Sequence, residues 1–580
     1  MNRNQWLLTI GILGTLCILA FACVAVAAGA IVMRNNAISL SGPQSPAPAA
    51  PGTSDERSGN QSRNTPAPEQ TAPAVAGPTT KAGNTLSLPG DEPVTLDPHL
   101  TSDASSAEYI VEIFSGLVTL DRDLNLQPDI ATEWKTDENG TLYTFTLRQD
   151  AKFANGKPIT AKDFKYSFER ACDATTESPV ADTYLGDIVG CRDKLSGRAN
   201  EVSGVRVLDD QTLDIQIDAP KVYFLMKLTY PTAFVVDQEA VEKGGRGWAS
   251  KNPNGSGPFK LQEYTFGEKV VLVPNPNYYG DPKPSLDQIT YTLSGGSAMT
   301  RYETDELDLT PVGLADIDRV LDKASPLNKE LSIDDVLSIS YIGLNAQQPP
   351  FDDVKVRQAF NLAIDKNALS TVVLRELAEP ARGILPPEIP GSNPDVTGLG
   401  FDPERAKQLL QESKYAGNLP DVTLHVSGAG GAAPRTIEAL AEMWRQNLGI
   451  EVAIEQTEFA TFLSDLNSKP SPYQMYSIGW IADYPDPQDF LDILFHCDSL
   501  DNHSGYCNPD VDKLLEAART ETDEQKRMDL YHQAEEKILD DGAWVPLFYG
   551  KQYWLTKPYV QNMIFPAAIV PRMRYVSIRH

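Results

Sequence analysis

The chain is 580 residues long with 41% hydrophobic and 8% aromatic residues, a balance that excludes a disordered chain and allows several domains around a large core. Its formal net charge of −29 argues against nucleic acid as a partner, because phosphate binding takes clustered Lys and Arg. An acid excess of this kind serves solubility first.

No charged residue occurs from Leu7 to Met33, and Arg3 and Arg34 flank that run. A bilayer span takes roughly 20 apolar residues, whereas the apolar part of a secretory signal runs to about 7–15. Residues 1–36 are therefore expected to form an uncleaved transmembrane anchor. A lipoprotein signal is the rival: Ala20-Phe21-Ala22-Cys23 is similar to a lipobox, but Phe21 and the missing Leu at position 20 depart from the pattern. Either reading leaves the rest of the chain outside the cytoplasm, at the cell surface or in the periplasm. Ser39 to Gly83 then holds eight prolines and no aromatic residue, so it cannot bury enough surface to fold. Residues 37–84 are expected to be a disordered tether, reaching on the order of 140 Å when extended, and residues 85–580 the folded body.

The body opens with a strand at Leu86-Ser87-Leu88. A helix follows from Ala107 to Leu117, with Ile110, Val111, Phe114 and Leu117 on one face. Tyr143, Phe145 and Leu147 alternate with polar residues, as in a strand covered on one side. Asn155-Gly156 signals a turn. Thr160 and Asp163 have capping-box spacing ahead of Phe164 and Phe168. Val205 to Ile217 reads as a hairpin, and Tyr341 to Asn345 as a strand. Val356, Phe360, Ala363 and Ile364 set a helix between Asp352 and Leu374. Asp402-Pro403 caps another helix. Ile437 to Leu448 forms the next helix and Val452 to Ile454 the next strand. Alternating strands and helices imply an α/β architecture.

From Met475 to Trp480 an apolar run reads as a buried strand, which Pro485 and Pro487 end in a rigid turn. Asp483 lies at that strand end between Trp480 and Tyr484. Its carboxylate has two readings: a partly dehydrated partner for a cation reached from a cleft, or an Asx-turn that satisfies local backbone amides.

Cys17 and Cys23 fall in the apolar run, leaving Cys172, Cys191, Cys497 and Cys507 in the body. Outside the cytoplasm, four cysteines paired closely in sequence are expected to form two disulfides, Cys172–Cys191 and Cys497–Cys507. A zinc site of His496, Cys497, His503 and Cys507 is the rival for the second pair, and the adjacency of His496 and Cys497 opposes it. No metal and no cofactor are expected. Phosphate-loop, zinc-protease and nucleophile-elbow motifs are absent from the sequence. Asp483, Asp486 and Asp489 could mimic a glycosidase pair, but no catalysis is expected.

Leu96-Asp97-Pro98, Phe114-Ser115-Gly116-Leu117-Val118, Gly255-Ser256-Gly257-Pro258-Phe259 and Trp480-Ile481-Ala482-Asp483-Tyr484-Pro485-Asp486-Pro487 together resemble solute-binding protein family 5 of ABC importers. The resemblance runs over nearly all of residues 86–560. It implies a two-lobed, class II periplasmic-binding-protein-like α/β fold of the large peptide-binding type, with an extra subdomain in the first lobe. Lobe 1 would take about residues 85–335 and 540–580, including a subdomain of about 120–250, and lobe 2 about 340–538. It further implies that Asp483 receives the α-ammonium of a peptide ligand, with Trp480, Ile481, Ala482 and Tyr484 around it. The implied partner is an ABC permease in the membrane; the folded body itself is expected to be a monomer. Arg301 and Arg382 are candidates for the ligand carboxylate. Similar proteins carry nickel complexes, opines or oligosaccharides, and a tethered receptor without a permease is a further reading.

Overall fold

Two long strands, Leu331–Leu344 and Trp544–Thr556, pair antiparallel through most of their length and form the spine of the body. The computed structural model describes residues 83–428 and 430–579. The apolar run, the lipobox-like tetrad and nearly all of the tether lie outside the described residues. Among those described, no helix is long and apolar enough to cross a membrane.

The spine belongs to a seven-stranded sheet. Met475–Ile481 pairs antiparallel with Leu331–Leu344, Val422–Ser427 runs parallel to Met475–Ile481, and Val452–Thr457 runs parallel to Val422–Ser427. One side of this lobe buries Ile342, Leu344, Val356, Phe360, Leu409, Leu440 and Trp444. The helices expected there form as their spacing dictates: Arg435–Leu448 buries Ile437, Leu440 and Trp444, and Asp402 caps Pro403–Glu412 by accepting from the Arg405 amide at 2.9 Å. The helix expected between Asp352 and Leu374 is instead interrupted. Val354–Leu362 ends at Ala363, and Asp365 captures the Ala368 amide at 3.0 Å and restarts the chain as a separate short helix.

The other lobe is built on two four-stranded sheets. Thr85–Pro89, Gln288–Thr292, Lys269–Pro274 and Phe259–Thr265 make the first, in that order. Val560, Phe565, Met573 and Val576 from the C-terminal segment join its core, so the chain returns to the lobe in which it began. The second sheet has Leu142–Leu147 between Ala131–Thr136 and Thr212–Gln216, with Val205–Val207 at its edge. Tyr143, Phe145 and Leu147 are buried in alternation, and the Thr160/Asp163 capping box is complete. The first helix, Ala104–Ile113, stops short of the expected Leu117 because Phe114 turns extended. The Gly255–Gly257 turn packs against that helix end, the Gly257 amide donating to the Ile113 carbonyl at 2.8 Å. A Cβ at Gly255 would lie 2.0 Å from the same oxygen, so the close approach admits only glycine.

Both expected disulfides are present, with Cα atoms 5.3 Å apart for Cys172–Cys191 and 4.7 Å for Cys497–Cys507.

Candidate ligand-binding site

The strand Met475–Ile481 carries the chain to the boundary between the lobes, and the turn beyond it separates two jobs among three aspartates. Asp486 accepts from the Gln488 amide at 2.9 Å, and Arg527 holds its carboxylate through both guanidinium ends at 2.9 and 2.5 Å. Asp489 Oδ2 accepts from the Asp483 amide at 3.0 Å and from Trp480 Nε1 at 3.2 Å. An Asx-turn at Asp483 does not form: Pro485 has no amide to offer, and the Asp486 amide donates to the Tyr484 carbonyl at 2.9 Å. The Asp483 side chain instead accepts from the hydroxyl of Tyr184, which comes from the other lobe. Tyr184 stacks flat on Tyr230, ring centres 3.7 Å apart.

A cavity of about 400 Å3 opens beside this contact. Trp480, Ile481, Ala482 and Asp483 line it, together with Asp103, Tyr230, Tyr341, Phe459, Asp501 and His503. Among the described residues that line it there is no Lys or Arg. Burial pushes the Asp483 carboxyl up to about 7; the Tyr184 hydroxyl opposes the rise and the Asp501 charge adds to it. Burial likewise raises Asp501 to about 6 and lowers His503 to about 3, so the imidazole is neutral at neutral pH.

The structure departs from the sequence-based expectations at several residues. Tyr484 is fully buried, its hydroxyl donating to Gln488 Oε1, because the proline turn swings its ring into the core and away from the cavity. Arg301 pairs with Glu306 at 3.0 Å, and Arg382 donates to the Pro394 carbonyl at 3.1 Å; neither lines the cavity. His496 faces Glu516 at 3.4 Å and His503 bonds Asn467 at 2.8 Å, so the two rings do not converge on the Cys497–Cys507 pair. Those two sulfurs lie with Asp512 in a metal-like grouping, but they are bonded to each other. Tyr184, Tyr230, Asp103 and Asp501 were not foreseen. Each carries only a local signal in sequence, and they meet through folding alone.

The family model described as bacterial extracellular solute-binding proteins, family 5 Middle, matches residues 125–502. The chain belongs to this family. It is 32% identical over 483 residues to the periplasmic oligopeptide-binding protein OppA of Escherichia coli (strain K12), covering 81% of this chain and 88% of that protein. It is also 32% identical over 480 residues to the probable deoxycholate-binding periplasmic protein YgiS of the same organism, with the same coverage. A structure of the Escherichia coli murein tripeptide binding protein MppA superposes with a TM-score of 0.79 at 28% identity, covering 86% of this chain and 99% of that one. The unliganded open form of MppA gives only 0.62 at 28% identity and 86% coverage of this chain, 98% of that one. Sequence and coverage being equal, the lobes of this family 5 protein stand in an arrangement unlike the open form. The contacts across the lobes agree: Tyr184 to Asp483, Thr183 Oγ1 to Asp501 at 2.8 Å, and the Arg527 guanidinium 5.4 Å from the Tyr223 ring centre.

Proposed function

We propose that the protein binds a peptide by its α-ammonium group between the two lobes, closes over it and hands it to an ABC permease, binding without chemistry. Asp483 carries the reading. Its carboxylate is relieved of turn formation by Asp486 and Asp489, and it faces a cavity whose described lining holds no competing cation. A buried carboxylate without a cation is costly, and an ammonium supplies the missing charge. Hinge closure then excludes water around the pair.

Family membership alone does not choose the ligand, since OppA and YgiS are equally identical to this chain. Deoxycholate is itself a carboxylate, and the acids lining the cavity oppose it. A neutral sugar would use an aromatic platform such as Trp480 or Trp554; Trp554 is stacked on Phe565 with centres 4.9 Å apart outside the cavity lining, and although Trp480 lines the cavity, a neutral ligand on it would leave Asp483 without a cation. Calorimetric titration with free and N-acetylated peptides tests the reading. Free peptides should bind and acetylated ones bind poorly, and equal binding of the two would sink it. We further infer that residues 1–36 hold the protein, as a monomer, at the outer face of the cytoplasmic membrane. An intact N-terminus in salt-washed membranes supports an anchor; an acylated N-terminal Cys23 replaces it with a lipoprotein.

A further inference from the structure

Asp483 is one of three carboxylates in the cavity. Asp103 precedes the helix Ala104–Ile113 and caps it through Oδ1, which accepts from the Ser106 amide at 2.8 Å and the Ser105 hydroxyl at 2.7 Å. Its Oδ2 has no hydrogen-bond partner among the described residues, although the residue is only 9% exposed and lines the cavity. Capping explains one oxygen and leaves the other unexplained. Asp501, 8% exposed, reaches the cavity on the Cys497–Cys507 loop, with Oδ2 bonded to Thr183. The walls between these acids are apolar: Val111, Ile339, Phe459, Leu463 and Ile478.

We propose that the cleft selects a ligand with more than one positive charge: a short peptide with a free amino terminus and a Lys, Arg or ornithine side chain at its first or second residue. The proposal rests on the amine reading of Asp483 and extends it. One α-ammonium neutralises one carboxylate; Asp103 then keeps an unpartnered oxygen, and Asp501 has only the pull of Lys469 from outside the cavity lining, which burial outweighs, an unfavourable balance in a closed, poorly hydrated site. A second ammonium or guanidinium reaches them on an aliphatic stem that the apolar walls accommodate. Burial raises the carboxyl of Asp483 and, against the pull of Lys469, that of Asp501.

The test is calorimetric titration of the full-length protein in mild detergent with Ala-Ala-Ala, Lys-Ala-Ala and N-acetyl-Ala-Ala-Ala. Lys-Ala-Ala should bind tighter than Ala-Ala-Ala by about tenfold or more. That ratio should fall toward one in Asp103→Asn and in Asp501→Asn. Asparagine keeps the cap at position 103 and an acceptor for Thr183 at position 501, and circular dichroism verifies the fold of each variant. Equal affinity for the two free tripeptides, or a ratio that survives both substitutions, overturns the proposal. If acetylated and free Ala-Ala-Ala bind equally, the amine reading of Asp483 fails instead, and the charge preference is still judged by its own ratio. Absence of binding by all three peptides overturns both.

Discussion

Two cavities lie between the lobes, and they treat buried charge in opposite ways. The cleft at Asp483 gathers three carboxylates and, among its described lining residues, no Lys or Arg. A second cavity of about 510 Å3 has Asp187, Lys221, Lys227, Asp492 and Arg519 in its lining, and there the two buried acids, Asp187 and Asp492, are matched from within. Asp187 receives Lys221 at 2.6 Å and Lys227 at 2.8 Å, and Arg519 grips Asp492 at 2.8 and 2.7 Å. Burial alone would raise both carboxyls, yet the two lysines hold Asp187, and Arg519 holds Asp492, below the usual range. Asp483, also buried, rises to about 7. Burial is common to both cavities; the internal partner is what differs. Charge paired within the chain maintains structure, and charge left open is available to a ligand.

The sharpest way to break this contrast is at the paired cavity. Lys227→Met removes one of the two cations from a fully enclosed carboxylate, and breaking a buried pair costs about 3–5 kcal/mol. Denaturant unfolding should show that loss, while the preference for free over acetylated peptides persists; a variant as stable as the parent would erase the distinction. Asp483→Asn should behave in the opposite manner. Stability changes little, because the turn is held by Asp486 and Asp489, whereas binding of a free peptide weakens by roughly 2–5 kcal/mol, or about 30-fold to several-thousand-fold in Kd. If the variant binds as tightly as the parent and melts earlier, Asp483 is a turn residue after all.

A third outcome concerns pH. In the closed cleft Asp483 sits near 7 and Asp501 near 6, against an ordinary aspartate of about 3.9 in open, hydrated surroundings. The ligand-free closed state therefore holds more protons than the open one between about pH 4 and 7, and acid favours it. Stabilisation of the closed state by these raised groups is complete below their ordinary pKa and is lost as pH rises through 6 to 7. Small-angle scattering of the ligand-free protein should show contraction between pH 8 and 5, and a constant radius of gyration would contradict it. Asp187, with its depressed value, has the opposite dependence: its contribution is present above the ordinary carboxylate pKa and is lost only as pH falls through that depressed value. The smallest effect is expected for Tyr184→Phe. Loss of one hydroxyl bond across the lobes costs about 0.5–1.5 kcal/mol and should weaken closure and ligand affinity by a similar factor; no change in either would remove Tyr184 from the site.

Much of the fold was legible in sequence because its signals are local. The capping box at Thr160, the alternation from Tyr143 to Leu147, the Asp402-Pro403 helix start and both disulfides follow from spacings of a few residues to nineteen. Asp483 was legible for the same reason: the strand, the proline turn and the family motif all lie within one short stretch. The rest of the cleft was not. Tyr184 and Asp483 are 299 residues apart, and Thr183 and Asp501 are 318 apart. Nothing near Asp103 marks it as more than a helix cap. Tyr484 misled because adjacency to Asp483 in sequence says nothing about where a ring points after a proline turn, and Arg301 and Arg382 because charge type was the sole guide to them.

The loop closed by Cys497–Cys507 delivers Asp501 and His503 to the cleft through a segment with neither helix nor strand. An untethered loop of that kind would have to surrender its freedom each time a ligand arrived, at about 0.5–1.5 kcal/mol for each rotamer-rich side chain immobilised. The covalent ring settles that entropy during folding, before any ligand is met. Recognition at this wall of the cleft then depends on charge and shape rather than on ordering, and a reducing environment would loosen the grip on ligand even where the lobes themselves stay folded.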